Sequence, residues 1–149
     1  MNKNPLIWFT KALLDFMFYT GIIVCIMVPF VFQWLSKYYS IIEKWYIPFC
    51  IVFIIAGIFA LFILRELRCM FRTVMNQNPF VHENVKSLKR MGICAFIISI
   101  SMAVRLIFVI TPSALVLVTV FLIAGLFSLV LSQVFDQAVI YKQENDLTI

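Results

Sequence analysis

Four long apolar segments divide this chain into two pairs, separated by one polar interval. Apart from one arginine they carry no charge, and they cover about residues 16–35, 46–64, 91–110 and 114–134. A helix of about 20 residues is some 30 Å long, which matches the hydrocarbon core of a bilayer. The pattern predicts an all-α integral membrane protein whose four transmembrane helices pair as two antiparallel hairpins in a four-helix bundle.

The polar interval, residues 65–90, is predicted to form a helical hairpin outside the membrane. It holds six of the 12 Lys and Arg residues of the chain. Because no Gly or Pro follows Leu64, the second transmembrane helix is expected to continue into the interval. Residues 76–79, Asn-Gln-Asn-Pro, should end that helix, since the residue before a proline disfavours helical geometry. A new helix should begin near residues 81–83 and run without a stop into the third span.

Composition and charge support a membrane protein and indicate its orientation. Hydrophobic residues make up 64% of the chain and charged residues 13%, with a mean hydropathy of +1.04, whereas soluble domains average about 45–50% and 25%. The net charge of +5 therefore indicates contact with the lipid bilayer rather than with nucleic acid. Nine Lys and Arg residues flank the spans on the side of the polar interval, and two flank them on the other side. The positive-inside rule predicts that both termini, the hairpin and the tail (residues 137–149) are cytosolic.

Arg105 is the one charged residue predicted to lie within a span. A charge at this depth is costly and is a functional hypothesis by default. Arg105 is, however, only five residues from the end of its span, so its side chain can reach the interface or pair with Glu43 or Gln33. The alternative is a ligand or ion role, in which Arg105 and the face of Ser99 and Ser101 line a path.

Asp15 and Asp136 stand at the predicted cytosolic ends of the first and fourth spans. At this level they are expected to pair with Arg65, Arg68 or Arg90 and to fix the hairpin against the spans. Such pairs are structural rather than catalytic, and no two carboxylates fall within one span to form a proton relay.

No motif for catalysis or cofactor binding is present in the sequence. A Gly-rich phosphate loop and the GxSxG, HExxH and Walker patterns are absent. Four glycines argue against a cofactor pocket lined by backbone, and the single histidine, His82, has only the adjacent Glu83 near it as a metal-binding group. The chain is therefore expected not to be an enzyme and to hold no metal and no cofactor.

Two stretches resemble the signatures of a known family. One is NPFVHENVKSLKRMG at residues 78–92, and the other is the ending QVFDQAVIYKQENDLTI at residues 133–149. Together with four spans, they are similar to the bacterial membrane proteins catalogued as domain of unknown function 2975. The resemblance implies a protein of the bacterial cytoplasmic membrane, in a family without an established enzymatic activity. Its members are often encoded beside a very small helix-turn-helix regulator, which implies a membrane partner that holds or releases a transcription factor.

The resemblance also implies which residues contact that partner. The matching positions are Pro79, Phe80, Glu83, Asn84, Leu88 and Gly92 in the loop and Glu144, Asp146, Leu147 and Thr148 in the tail. Part of the loop motif has a structural interpretation, because Asn84 can cap a helix and Phe80 can pack on the apolar stripe of Leu67 and Phe71. The exposed acidic ending has no such interpretation, which favours partner binding.

Three functions remain open. The first is a membrane protein that sequesters a small cytosolic helix-turn-helix regulator through its loop and acidic tail, without binding nucleic acid itself. The second is a small transporter or ion-pathway subunit that works as a homo-oligomer, and the third is a structural subunit of a membrane complex. A transport role predicts that Arg105→Ala abolishes activity while truncation after Tyr141 is tolerated, and a binding role predicts the reverse.

Overall fold

The computed structural model describes residues 5–148. Within them the chain forms five α-helices and no strand: α1 Pro5–Ser36, α2 Ser40–Lys44, α3 Tyr46–Met75, α4 His82–Phe108 and α5 Pro112–Asp146. The four long helices, α1, α3, α4 and α5, are each long and apolar enough to cross a membrane. The predicted all-α, four-span architecture is confirmed, and the chain is a multi-pass membrane protein. Lys3, which counts toward the predicted orientation, and Ile149, the last residue of the predicted tail, lie outside the described residues.

The long helices are longer than the hydrocarbon core of a bilayer. They contain 27 to 35 residues and are therefore about 40–52 Å long, against a hydrocarbon core of about 30 Å. As predicted, α3 continues past its apolar segment to Met75, and α4 begins at His82, ahead of the third apolar segment. Two further extensions are not evident from the apolar pattern: α1 is helical from Pro5, and α5 is helical to Asp146. Most of the predicted tail is therefore a continuation of α5.

The long helices lie in an open row, in the order α1, α3, α4, α5. Their backbones approach closely between α1 and α3, between α3 and α4 and between α4 and α5, and between no other two long helices in residues 5–148. The four-helix bundle that the sequence predicts takes the form of this row. It leaves the outer helices with large apolar faces, and α1 buries only Leu14. Lipid tails are as apolar as leucine, so such faces need no protein partner in a bilayer.

An apolar core joins the two central helices. Val52 and Ala56 of α3 pack with Ile98 and Met102 of α4, and all four side chains are buried. Phe121 of α5 packs against the same cluster. This core holds the centre of the row together within the apolar segments.

The α4–α5 contact is built from small residues, which lets the two helices come close. Buried small residues recur at helical spacing on both helices: Gly92, Ala95 and Ser99 on α4, and Gly125, Ser128 and Ser132 on α5. A Cβ atom added to Gly92 would lie only 3.1 Å from the carbonyl oxygen of Gly125. Ser99 Oγ donates to the Val118 carbonyl (2.9 Å), and Ser128 Oγ donates to the Leu88 carbonyl (2.7 Å). Close backbone packing and interhelical hydrogen bonds are the forces that hold helices together in lipid.

Candidate binding surface at the loop end

The antiparallel row brings three distant parts of the chain to one end of the molecule. These are the start of α1, the connection at residues 76–81 and the end of α5, and we call this end the loop end. The opposite end holds α2 and the connection at residues 109–111, and we call it the turn end. Both segments that carry the predicted partner-binding residues are at the loop end.

The connection at residues 76–81 begins with a hydrogen-bonded helix stop. Gln77, the first residue beyond the C-cap of α3, has a φ of 57°, in the left-handed region. The backbone N–H of Asn78 donates to the Thr73 carbonyl (3.1 Å), and that of Gln77 donates to the Val74 carbonyl (3.0 Å). These two bonds form a Schellman motif, in which glycine is the usual left-handed residue. The predicted helix break is confirmed, and its geometry is fixed by the backbone.

Asn84 fastens the start of α4 to this connection. It is only 2% exposed, and its Nδ2 donates to the Pro79 carbonyl (2.6 Å) and to the Thr73 hydroxyl (2.7 Å). The Thr73 hydroxyl in turn donates to the Met70 carbonyl (2.7 Å). The predicted capping role of Asn84 is wrong, because α4 begins after Val81 with no side-chain cap. Asn84 instead orders the connection from the inside.

The last turns of α5 pack against the connection. The rings of Phe135 and Phe80 are in tilted contact, with centroids 5.4 Å apart, so Phe80 takes its aromatic partner from α5 and not from α3. Val139, one turn further along α5, is buried. After another turn, the Lys142 ammonium donates to the side-chain oxygen of Asn78. These contacts join the connection at residues 76–81 to the end of α5.

We call residues 78–84 and 135–148 the loop–tail surface. The predicted contact residues that remain accessible at the loop end are half-buried Pro79 and exposed Phe80, Glu83, Glu144, Asp146, Leu147 and Thr148. Asn84 and Leu88, which the resemblance also implies as contact residues, are buried and do not form part of the accessible surface. Asn84 bonds to the connection, and the Leu88 carbonyl accepts a hydrogen bond from α5. Gly92 likewise serves the close approach of α4 and α5.

The accessible part of the loop–tail surface combines free acids with exposed apolar side chains. Glu83, Glu144 and Asp146 take part in none of the ion pairs formed among residues 5–148. Phe80 is 43% exposed and Leu147 is 87% exposed. Such a surface is suited to a partner that offers basic and apolar groups together.

The two aspartates that the sequence predicts to pair with an arginine have different partners. The predicted pairing of Asp15 with an arginine is confirmed, since Arg68 Nε lies 2.6 Å from Asp15 Oδ1. The prediction for Asp136 is wrong, because its Oδ1 lies 3.7 Å from Nδ1 of His82. The backbone of α5 approaches α4, where His82 stands at this level, and not α3, which carries Arg65 and Arg68. Arg90 of α4 is paired with Glu66 instead.

Glu66 is a buried carboxylate for which no role is predicted from the sequence. Its side chain is 11% exposed, and it accepts hydrogen bonds from Ser87 Oγ (2.7 Å) and Arg90 Nη1 (3.3 Å) across the α3–α4 contact. Its burial is hard to predict from the sequence, because an acidic residue among arginines is usually exposed to solvent. Phe135, Val139 and Lys142 are also missed, although their spacing of four and three residues marks one helix face.

Arg105 reaches the turn end of its helix. Its Nη1 donates to the Thr111 hydroxyl (3.2 Å), and its guanidinium lies over the rings of Phe49 and Phe53, 5.2 and 5.4 Å from their centroids. Among residues 5–148, neither Glu43 nor Gln33 bonds to it, and its buried Nε has no hydrogen-bond partner. The contacts agree with an arginine that extends toward the interface and places its guanidinium against aromatic rings.

Among residues 5–148, the charged side chains occur either in ion pairs or as single charges. Within this range, no three side chains of His, Cys, Asp or Glu come together in a group that could hold a metal ion. The accessible side chains at the loop end offer charges, hydrogen-bonding groups and apolar surface.

Comparison with known proteins assigns the chain to a family. The family model described as "Protein of unknown function (DUF2975)" matches residues 30–149, which include both segments of the loop–tail surface. The chain belongs to this family, as its two motifs indicate. No curated protein and no solved structure matches the chain.

Proposed function

We propose that this member of the DUF2975 family is a membrane-embedded binding protein that sequesters a small cytosolic helix-turn-helix regulator at its loop–tail surface. In this proposal the loop end faces the cytosol of a bacterial cell. The excess of Lys and Arg on that side of the spans, nine against two, supports this orientation. The loop–tail surface and the regulator are then in the same compartment.

The observation that carries the proposal is the joining of two motif segments that are far apart in the sequence. Phe80 contacts Phe135, and Asn78 accepts a hydrogen bond from Lys142. A surface that includes both segments exists only while α4 and α5 lie side by side. The connection is also ordered by internal hydrogen bonds, so binding requires little further ordering of the backbone.

The chemistry of this surface complements that of a DNA-binding protein. A helix-turn-helix domain presents Lys and Arg side chains to DNA phosphates. The free carboxylates of Glu83, Glu144 and Asp146 offer those cations an alternative set of anions, and Phe80 and Leu147 supply apolar contact. A regulator held in this way is withheld from DNA, and its release restores transcriptional control. Neither step requires the membrane protein to bind nucleic acid.

A tagged pull-down from native membranes tests the proposal. The full chain is compared with a chain that ends at Tyr141 and with the double variant Glu144→Lys/Asp146→Lys, and bound proteins are quantified by mass spectrometry. A small cytosolic helix-turn-helix protein should copurify with the full chain and be lost from both variants. Glu43→Lys is the matched control, because Glu43 is an exposed acid at the turn end, outside the loop–tail surface. Recovery of no cytosolic protein with any of the four chains contradicts the proposal.

The same variants separate binding from the two alternatives. A transporter should lose flux in Arg105→Ala and tolerate truncation after Tyr141. The contacts of Arg105 with Thr111 and two phenylalanine rings support a structural role for it instead. A structural subunit of a membrane complex should copurify with membrane proteins that are retained by the truncated chain.

A further inference from the structure

A second site lies at the loop end, between α1 and α3. A cavity of about 240 Å³ opens there, on a different side of α3 from the contact with α4. Three cationic side chains line it, Lys11, Arg68 and Arg72, together with one acid, Asp15. The net charge of these groups is +2, so the cavity attracts an anion.

Arg68 is held in place before any ligand binds. Its Nε is engaged by Asp15 at 2.6 Å, and its guanidinium carbon lies 4.7 Å from the ring centroid of Phe18 and 5.6 Å from that of Tyr19. Its two terminal nitrogens form no hydrogen bond with residues 5–148 and keep their donors free. A planar guanidinium whose donors are fixed in this way matches the oxygens of a phosphate group.

Lys11 and Arg72 add two exposed charges to that of Arg68. Lys11 precedes Asp15 by one helical turn, and Arg72 follows Arg68 by one turn, so the four groups lie on the facing sides of α1 and α3. Both Lys11 and Arg72 are exposed, and neither forms an ion pair among residues 5–148. They are free to close around an anion that Arg68 holds.

The cavity is at the depth of the lipid headgroups. The apolar segment of α3 ends at Leu64, and Arg68 is four residues further out, or about 6 Å along the helix. The headgroup layer occupies about 5–8 Å on each side of the hydrocarbon core. On α1, Asp15 directly precedes the apolar segment. Buried Leu14 and half-buried Phe71 form an apolar wall beside the charges, as the glycerol and upper chain of a lipid require.

The neighbouring cavity between α3 and α4 is less suited to an anion. It is lined by Arg65, Lys86 and Arg90 but also by Glu66 and Glu83, which gives it a net charge of +1. Arg90 is already paired with Glu66. The α1–α3 cavity has the higher net charge. Its single acid, Asp15, is paired with Arg68, which keeps free hydrogen-bond donors.

We propose that the α1–α3 cavity binds a phosphate group, supplied in the membrane by an anionic phospholipid. Arg68 holds two phosphate oxygens, and Lys11 and Arg72 neutralise the remaining charge. Basic pockets between transmembrane helices are a recurring type of lipid-headgroup site. Among the long helices, α1 approaches only α3, so a lipid bound between them adds a link that holds the edge of the row.

Titration of the full chain in a neutral detergent tests this proposal, with ³¹P NMR as the readout. The probes are short-chain phosphatidylglycerol, short-chain phosphatidylcholine and inorganic phosphate. Phosphatidylglycerol should bind saturably, and phosphatidylcholine, which has a phosphate but no net charge, should bind more weakly. Arg72→Gln should weaken phosphatidylglycerol about fivefold, as the loss of one surface charge does. Lys89→Gln removes one exposed charge that lines neither cavity and should change the affinity less than about twofold.

A second variant addresses the geometry of the site. Arg68→Lys keeps the charge but removes the planar pair of donors, so it should also weaken binding, with helix content checked by circular dichroism. Saturable binding of phosphatidylglycerol that Arg72→Gln weakens supports a lipid source, and saturable binding of inorganic phosphate alone with the same sensitivity supports a free phosphate. The proposal would be overturned if Arg72→Gln and Lys89→Gln changed the affinity equally. It would also be overturned if neither phosphatidylglycerol nor inorganic phosphate bound saturably.

Discussion

Gly92→Ala is expected to force α4 away from α5. A Cβ atom at this position would lie 2.9 Å from both Cγ and Cδ2 of Leu129, and 3.1 Å from the carbonyl oxygen of Gly125. Carbon atoms in good contact are about 3.5–4.0 Å apart, so Leu129 has to yield by about 0.6–1.1 Å. A leucine can rotate, but the Gly125 carbonyl belongs to the backbone of α5. The two helices themselves therefore have to separate.

The magnitude follows from a comparison with Gly21. Overfilling a well-packed contact costs about 1–3 kcal/mol, while replacing glycine by alanine inside a helix contributes about 1 kcal/mol in the opposite direction. A Cβ atom on Gly21 would meet only the end of the Leu61 side chain, at 2.9 Å, which can rotate away. The propensity gain is common to both variants and cancels. Gly92→Ala should therefore be less stable than Gly21→Ala by about 1–3 kcal/mol.

Thermal unfolding of the purified variants in one detergent, followed by circular dichroism, measures this difference. For a chain of this length, 1 kcal/mol corresponds to about 2–4 °C in Tm. Gly92→Ala should therefore unfold about 2–12 °C below Gly21→Ala. Equal Tm values, or a higher Tm for Gly92→Ala, would show that α4 and α5 do not cross at this glycine pair and would refute the reasoning.

Four further substitutions test other contacts by the same measurement. Ser87→Ala removes the 2.7 Å donor of buried Glu66 and should cost about 1–3 kcal/mol. Arg90→Ala should cost less than about 1 kcal/mol, because the Arg90 side chain is 63% exposed. A larger loss of stability for Arg90→Ala than for Ser87→Ala would contradict the assignment of Ser87 as the main hydrogen-bond donor to Glu66. Gln77→Gly should stabilise the chain by up to about 1 kcal/mol, because glycine adopts a φ of 57° without steric cost; a lower Tm would argue against the left-handed stop. Arg105→Lys keeps the charge but loses the planar contact with two rings and should cost about 1–2 kcal/mol. An unchanged Tm would show that these ring contacts do not contribute to stability.

The apolar pattern predicts where the helices run far better than it predicts what they touch. Segments of about 20 apolar residues identify the four spans, and the lack of Gly or Pro after Leu64 identifies the extension of α3. Neither signal carries information about which helix lies opposite a given face. The pattern thus predicts that Phe80 packs against α3, whereas its ring contacts Phe135 on α5. It also predicts an arginine beside Asp136, whereas the neighbour is His82.

The same limit applies to the arrangement of the spans. In water, apolar faces have to be covered by other helices, so hydrophobicity alone would predict a closed bundle. In lipid that drive is absent, and association depends on close packing and hydrogen bonds. The informative signal is therefore the spacing of small residues on α4 and α5, which the structure places at their contact: Gly92, Ala95 and Ser99 with Gly125, Ser128 and Ser132.

The motif of the family combines residues that build the loop–tail surface with residues that are accessible on it. Gly92 lets α5 approach α4, Asn84 orders the connection, and together they allow Phe80 to meet Phe135. If the proposed binding is correct, Gly92→Ala should reduce partner recovery and Tm together, because it acts through the position of α5. Glu144→Lys, on an exposed final turn, should reduce recovery and leave Tm unchanged. Loss of recovery in Gly92→Ala without any change in Tm would instead mean that α4 contacts the partner near Gly92, and the proposed surface would be misplaced.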